Sequence, residues 1–138
     1  MKALIDTCVI LDAMQTREPF HKAAENILLG SALNKISGCI TANSITDIYY
    51  IGYRITKDRK KSLDQINKLL VIFEVLDVNA VDCKNASLSE IEDFEGALLV
   101  ETAVRHDMEC IVTRNIKDFK GADIPVYLPD EFLKLVEL

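Results

Sequence analysis

KALIDTCVIL, residues 2–11, is a short apolar run that ends on Asp6-Thr7 and then turns apolar again. The run Lys2 to Ile5 suits a buried β-strand, and an Asp-Thr pair directly after it is what a strand shows where the chain caps a helix. Asp6 follows three apolar residues without a spacer, which puts its carboxylate at the mouth of a sheet and not on a solvated face. Helix capping alone is the competing account of that aspartate.

Working outward, the chain keeps alternating between strand and helix signals. His21 to Leu33 carries Ala23, Ala24, Ile27, Leu28 and Ala32 at helical spacing; Gly38 to Thr41 is a second strand; Asn43 or Ser44 caps a helix bearing Ile45, Ile48, Tyr49 and Gly52. Leu63, Ile66, Leu69 and Leu70 continue a helical period over Lys61 to Leu70. Phe73 to Val78 reads as a third strand, Val81 to Leu88 as a short helix, and Ser89 as the cap of a helix through Phe94, Ala97, Leu98 and Val104. Cys110 to Thr113 and Ile124 to Tyr127 supply the fourth and fifth strands, and Pro129 starts a last helix over Glu131 to Val136. Strands separated by helices of ten or more residues predict an α/β three-layer sandwich: a central, mostly parallel sheet of four to five strands flanked by helices. No repeat or low-complexity tract interrupts the pattern, and residues 1–138 are expected to form one domain.

Composition narrows the function. Hydrophobic residues make up 49% and charged residues 28% of the 138 positions, which is globular and not disordered. Apolar runs such as Val9 to Leu11 fall far short of the ~20 residues of a membrane span, and the start shows no secretory pattern, so a cytoplasmic protein with no membrane association is expected. Cys8, Cys39, Cys83 and Cys110 are too widely spaced for a structural zinc site and are read as reduced thiols. The net charge of −6 excludes a protein that coats duplex nucleic acid by charge alone. A local basic stretch, Arg54, Lys57, Arg59, Lys60 and Lys61, is a candidate for meeting nucleic acid by charge, with a solvated helix-helix loop as the alternative.

In parallel sheets ligands gather beyond the carboxyl ends of the strands, where strand order reverses. Three acidic residues fall just there: Asp6 after the first strand, Asp47 in the helix after the second, and Asp118 after the fourth, next to Asn115. Each has a structural account of its own, as cap, first-turn charge or turn former. Together they form a hard oxygen shell of the kind Mg²⁺ or Mn²⁺ takes, and such an ion lowers the pKa of a bound water and stabilises a phosphate under in-line attack. Phosphodiester hydrolysis is the reaction expected. Arg114 is a candidate phosphate contact or a plain surface charge, and Tyr49, Tyr50 and Tyr53 are candidates for base stacking or for packing.

Four segments in order, LIDTCVILD (4–12), SITDIYYIG (44–52), LSEIEDFEGAL (88–98) and IVTRNIKDF (111–119), resemble the PIN-domain ribonucleases that include the VapC-type toxins. The resemblance implies a Mg²⁺- or Mn²⁺-dependent endoribonuclease acting on single-stranded RNA, often a homodimer, restrained by a cognate antitoxin. It makes Asp6 and Asp47 the first two metal-binding carboxylates, puts Asn115 and Asp118 at the fourth acidic position, and has Thr7 and Thr113 line the pocket. Two positions depart from the pattern. Cys8 stands where the family usually has Asn, and DFEGAL replaces a common DFEDAL, so the usual third acid falls on Gly96. Asp93, three residues earlier, is the candidate substitute, with helix-dipole stabilisation as its alternative role, while Glu92 and Glu95 are expected to project elsewhere. Loss of the third acid gives the resemblance a rival outcome: a PIN-like scaffold that binds protein or RNA and no longer cuts.

Overall fold

The computed structural model describes all 138 residues. Five strands, β1 (Lys2–Ile5), β2 (Ser37–Thr41), β3 (Glu74–Leu76), β4 (Cys110–Val112) and β5 (Val126–Tyr127), form one sheet in the order β3-β2-β1-β4-β5, every neighbouring pair parallel. Parallel strands need crossovers, and the helices supply them: α1 (Thr7–Met14) and α2 (His21–Ala32) between β1 and β2, α3 (Ala42–Thr56) and α4 (Arg59–Ile72) between β2 and β3, α5 (Ala80–Ser87) and α6 (Phe94–Arg105) between β3 and β4. A 3₁₀ turn, Ile116–Phe119, joins β4 to β5, and α7 (Pro129–Leu135) ends the fold. None of the helices is long and apolar enough to cross a membrane.

The central strands are buried on both faces, which is why they read as unbroken apolar runs rather than as alternating ones. Ala3, Ile5, Ile40, Cys110 and Val112 point to one side, where they pack with Val9 and Ile10 of α1, Ile27 of α2, Ile48 of α3, Leu69 of α4 and Phe132 of α7. Leu4, Cys39, Leu76 and Ile111 point to the other and meet Ala86 of α5, Ala97, Val100 and Ala103 of α6, and Phe119. The small residues of α6 let its backbone lie close on the sheet, as the sequence pattern anticipates.

β3 and β5 are shorter than the expected strands, Phe73 to Val78 and Ile124 to Tyr127, and two helix caps fall elsewhere than expected. Thr41, and not Asn43 or Ser44, caps α3: its hydroxyl accepts from the Ser44 N–H at 3.3 Å. Asp93, and not Ser89, caps α6, its Oδ2 accepting from the Gly96 N–H at 2.8 Å, while the Ser89 hydroxyl closes a tighter turn by accepting from the Ile91 N–H at 3.1 Å. In both cases the side chain that wins stands three residues before the N–H it satisfies, the geometry a capping oxygen needs.

Candidate functional site

Strand order reverses between β1 and β4, so a crevice opens beyond their carboxyl ends. Asp6 sits in it. Its backbone N–H continues the ladder to the Val112 carbonyl at 2.9 Å, which fixes the residue as the first beyond β1. One carboxylate oxygen caps α1 by accepting from the Thr7 N–H at 2.8 Å; the other accepts from the Thr113 hydroxyl at 2.8 Å, with the Cys8 thiol at 3.6 Å. The Thr113 hydroxyl in turn accepts from the Asn115 N–H at 3.0 Å, so the first strand end and the loop after the fourth are bonded through one carboxylate. Asp6 is 8% exposed. Burial raises its carboxyl above the ordinary range, opposed by the Thr113 and Thr7 hydrogen bonds and reinforced by repulsion from Asp118.

Asp6, Thr7, Cys8, Asp93, Glu95, Gly96, Asn115 and Asp118 line one cavity of about 110 Å³. Asp47 lies next door, in a smaller cavity lined by Thr41, Asn43, Ser44, Glu95, Leu98 and Thr102. Asp47 is the sixth residue of α3 and exposed, beyond the first turn where a helix-dipole role would place it. A hydroxyl relay runs behind both cavities: the Thr7 and Ser44 hydroxyls stand 2.7 Å apart and those of Ser44 and Thr41 3.2 Å apart, all buried. Thus Asp6 and Asp118 share a cavity and Asp47 faces the adjoining one. No three His, Cys, Asp or Glu side chains are grouped closely enough to hold an ion as they stand. The donor set is nevertheless hard oxygen throughout, apart from the Cys8 sulfur, and matches what Mg²⁺ or Mn²⁺ takes.

Gly96 is pressed against the loop after β4. A Cβ built there would lie 2.4 Å from the Asp118 carbonyl oxygen and 3.3 Å from Asp93 Oδ2. A side chain at this position therefore requires the loop bearing Asp118 to move. Asp93 lines the cavity but spends one oxygen on the Gly96 N–H, at the cap of α6 and outside the helix proper. Glu95 corrects the expectation that it projects elsewhere: it lines both cavities, and partial desolvation with repulsion from Asp6, Asp47, Asp93 and Asp118 raises its carboxyl. The sequence carried a signal for it, since a glutamate beside a glycine at an acidic position is one residue from where the acid belongs.

None of the cationic candidates lines either cavity. Arg114 is neither a surface charge nor free for phosphate: its Nε and Nη2 donate to the two oxygens of Asp12 at 2.7 and 3.1 Å, and its guanidinium stacks 4.2 Å from the Phe20 ring centroid. Asp12 is 1% exposed, so this pair ties α1 to the loop after β4 from within. Arg54 and Lys57 are exposed at the far end of α3, seven and ten residues past Asp47, or about 10 and 15 Å along the axis. They line neither cavity. Lys117 and Lys120 border an open groove with Asp93 and Asp118, and no motif in the sequence marks them. Tyr49 stacks on Tyr53 at 6.1 Å and meets Tyr50 edge-on at 5.0 Å, with Tyr50 and Tyr53 exposed.

A family model for the PIN domain matches residues 2–117. A ribonuclease VapC1 from Aquifex aeolicus is 28% identical over 136 residues, 95% of this chain and 92% of the relative. Among solved structures, a toxin-antitoxin complex from Klebsiella pneumoniae superposes with a TM-score of 0.65 at 20% identity, covering 92% of this chain and 97% of the other. FitAcB from Neisseria gonorrhoeae matches to the same degree, and VapBC2 from Rickettsia felis, bound to a promoter DNA fragment, with a TM-score of 0.64 at the same identity and coverage. At these identities the solved structures establish the fold.

Proposed function

The chain belongs to the PIN-domain family, and from that premise we propose that it is a Mg²⁺- or Mn²⁺-dependent endoribonuclease acting on single-stranded RNA, the toxin of a toxin-antitoxin pair. The observation that carries the reading is Asp6: a buried carboxylate at the strand-order reversal, held by neutral donors, facing Asp118 across a cavity of carboxylates. Clustered like charges in a desolvated crevice are costly unless a cation joins them.

Asp6 and Asp118 would hold the ion, with Asp47 reaching in from α3. A bound divalent ion supplies a water of lowered pKa and charge compensation for the phosphate oxygens. The chain's own contribution is positioning. Thr7 and Thr113 lock both Asp6 oxygens in one orientation, Thr113 also sets the Asn115 backbone, and the Asp12–Arg114 pair holds the two halves of the crevice together. Lys117 and Lys120 border the groove leading to Asp118 and are the cations best placed to meet an incoming phosphate. The partner reading rests on the fold shared with the toxin-antitoxin complexes; a homodimer and a cognate antitoxin are its expected assemblies.

The test is cleavage of a single-stranded RNA panel with Mg²⁺ or Mn²⁺, against the same reaction with EDTA and with Asp6→Asn. Metal-dependent cutting lost in Asp6→Asn supports the proposal. A second reading, a PIN scaffold that binds without cutting, is favoured by Gly96 and by carboxylates divided between two cavities. RNA binding with no cleavage in either metal would select it.

A further inference from the structure

We propose that Glu95 is the third ion-binding carboxylate of this site, in the role left open by Gly96; the inference rests on the metal-dependent reading above. Two separate features of the geometry lead to it. First, residue 96 has no room for an acid, because a Cβ there would lie 2.4 Å from the Asp118 backbone oxygen. An acid at 96 and the present position of the Asp118 loop exclude each other. Second, Asp6 and Asp118 line one cavity and Asp47 the next, and Glu95 alone among the carboxylates lines both. The two cavities share only Glu95 and Leu99 in their linings, so Glu95 is the carboxylate placed between Asp6 and Asp47.

Its competitor, Asp93, is less free. One Asp93 oxygen caps α6 on the Gly96 N–H, and withdrawing it uncaps the helix, whereas Glu95 has no hydrogen-bond partner to give up and a chain one methylene longer. Glu95 is exposed, so replacing it by glutamine keeps its bulk and does not threaten the fold. The adjustment that the site requires is a side-chain rotation about flexible torsions, not a backbone shift.

Mn²⁺ binding by titration calorimetry, on the ion-free protein and on Glu95→Gln, Asp93→Asn and Asp6→Asn, decides the matter, with thermal melting to verify that each variant is folded. Expected is measurable binding by the unaltered chain, loss in Asp6→Asn, weakening of about tenfold or more in Glu95→Gln, and a change within about twofold in Asp93→Asn. Binding by Glu95→Gln equal to the unaltered chain, with Asp6→Asn still defective, overturns the assignment and leaves the metal reading standing. No binding by the unaltered chain, or binding indifferent to Asp6→Asn, overturns both.

Discussion

Asp6 is a helix cap, the bond between two strand ends and, in the proposed function, an ion ligand, and these roles respond differently to one substitution. Asn has one acceptor oxygen where Asp6 uses two: it keeps the cap on the Thr7 N–H and turns its NH2 toward the Thr113 hydroxyl, which can accept, so Asp6→Asn keeps the architecture while removing a charge that burial disfavours. The expected outcome is a higher melting temperature than the unaltered chain in ion-free buffer at pH 7, by a few degrees, with a cleavage rate lowered at least about 100-fold. A lower melting temperature would show that the charge is offset in the fold after all. Arg114→Ala tests the opposite kind of residue. It leaves Asp12, which is 1% exposed, with only the longer Arg17 contact at 3.8 Å, and a buried charge that loses its closer partner costs up to about 3 kcal/mol. Urea denaturation should show that loss, since an arginine that merely met RNA would leave the midpoint unmoved.

At the scale of elements, α6 and the loop after β4 fit together because residue 96 has no side chain. Gly96→Asp therefore does not simply supply a missing acid: it opens the loop carrying Asn115 and Asp118. Overpacking of this kind costs about 1–3 kcal/mol, and the ~1 kcal/mol that a non-glycine residue gains in a helix offsets only part of it. Denaturant titration should find Gly96→Asp and Gly96→Ala both less stable than the unaltered chain, which a site with spare room would not show. The strands were legible in the sequence because two-sided burial writes itself as short apolar runs, and the order of acids after them followed from the parallel topology. What the sequence could not reveal was rotational detail. Cap identity at Thr41 and Asp93 turns on one residue of register, the direction of Glu95 on where α6 begins, and the Asp12–Arg114 pair joins residues 102 positions apart with no local trace.

For the molecule as a whole, the crevice makes stability depend on pH and on divalent ions together. Asp6 and Glu95 both have folded carboxyl pKa values raised above their ordinary ones, so the folded state holds its protons longer than the unfolded chain does. Their contribution is thus greatest below the unfolded values, near pH 4, and is lost as pH rises through the folded ones. Asp82, lowered chiefly by its hydrogen bonds from Arg105, runs the other way and withdraws stability as pH falls through its folded value. In ion-free buffer, replacing Asp6 or Glu95 by its amide should therefore remove a downward slope of stability with pH just above the carboxylate range. Adding Mn²⁺ should reverse that slope, because the ion binds the deprotonated carboxylates and stabilises only the folded chain, by about 2.7 kcal/mol at a hundredfold excess over the dissociation constant. Melting curves from pH 5 to 7.5 with and without Mn²⁺ would show a stabilisation that grows with pH; a Mn²⁺ effect that is flat across this range would mean the ion binds elsewhere than at Asp6 and its neighbours.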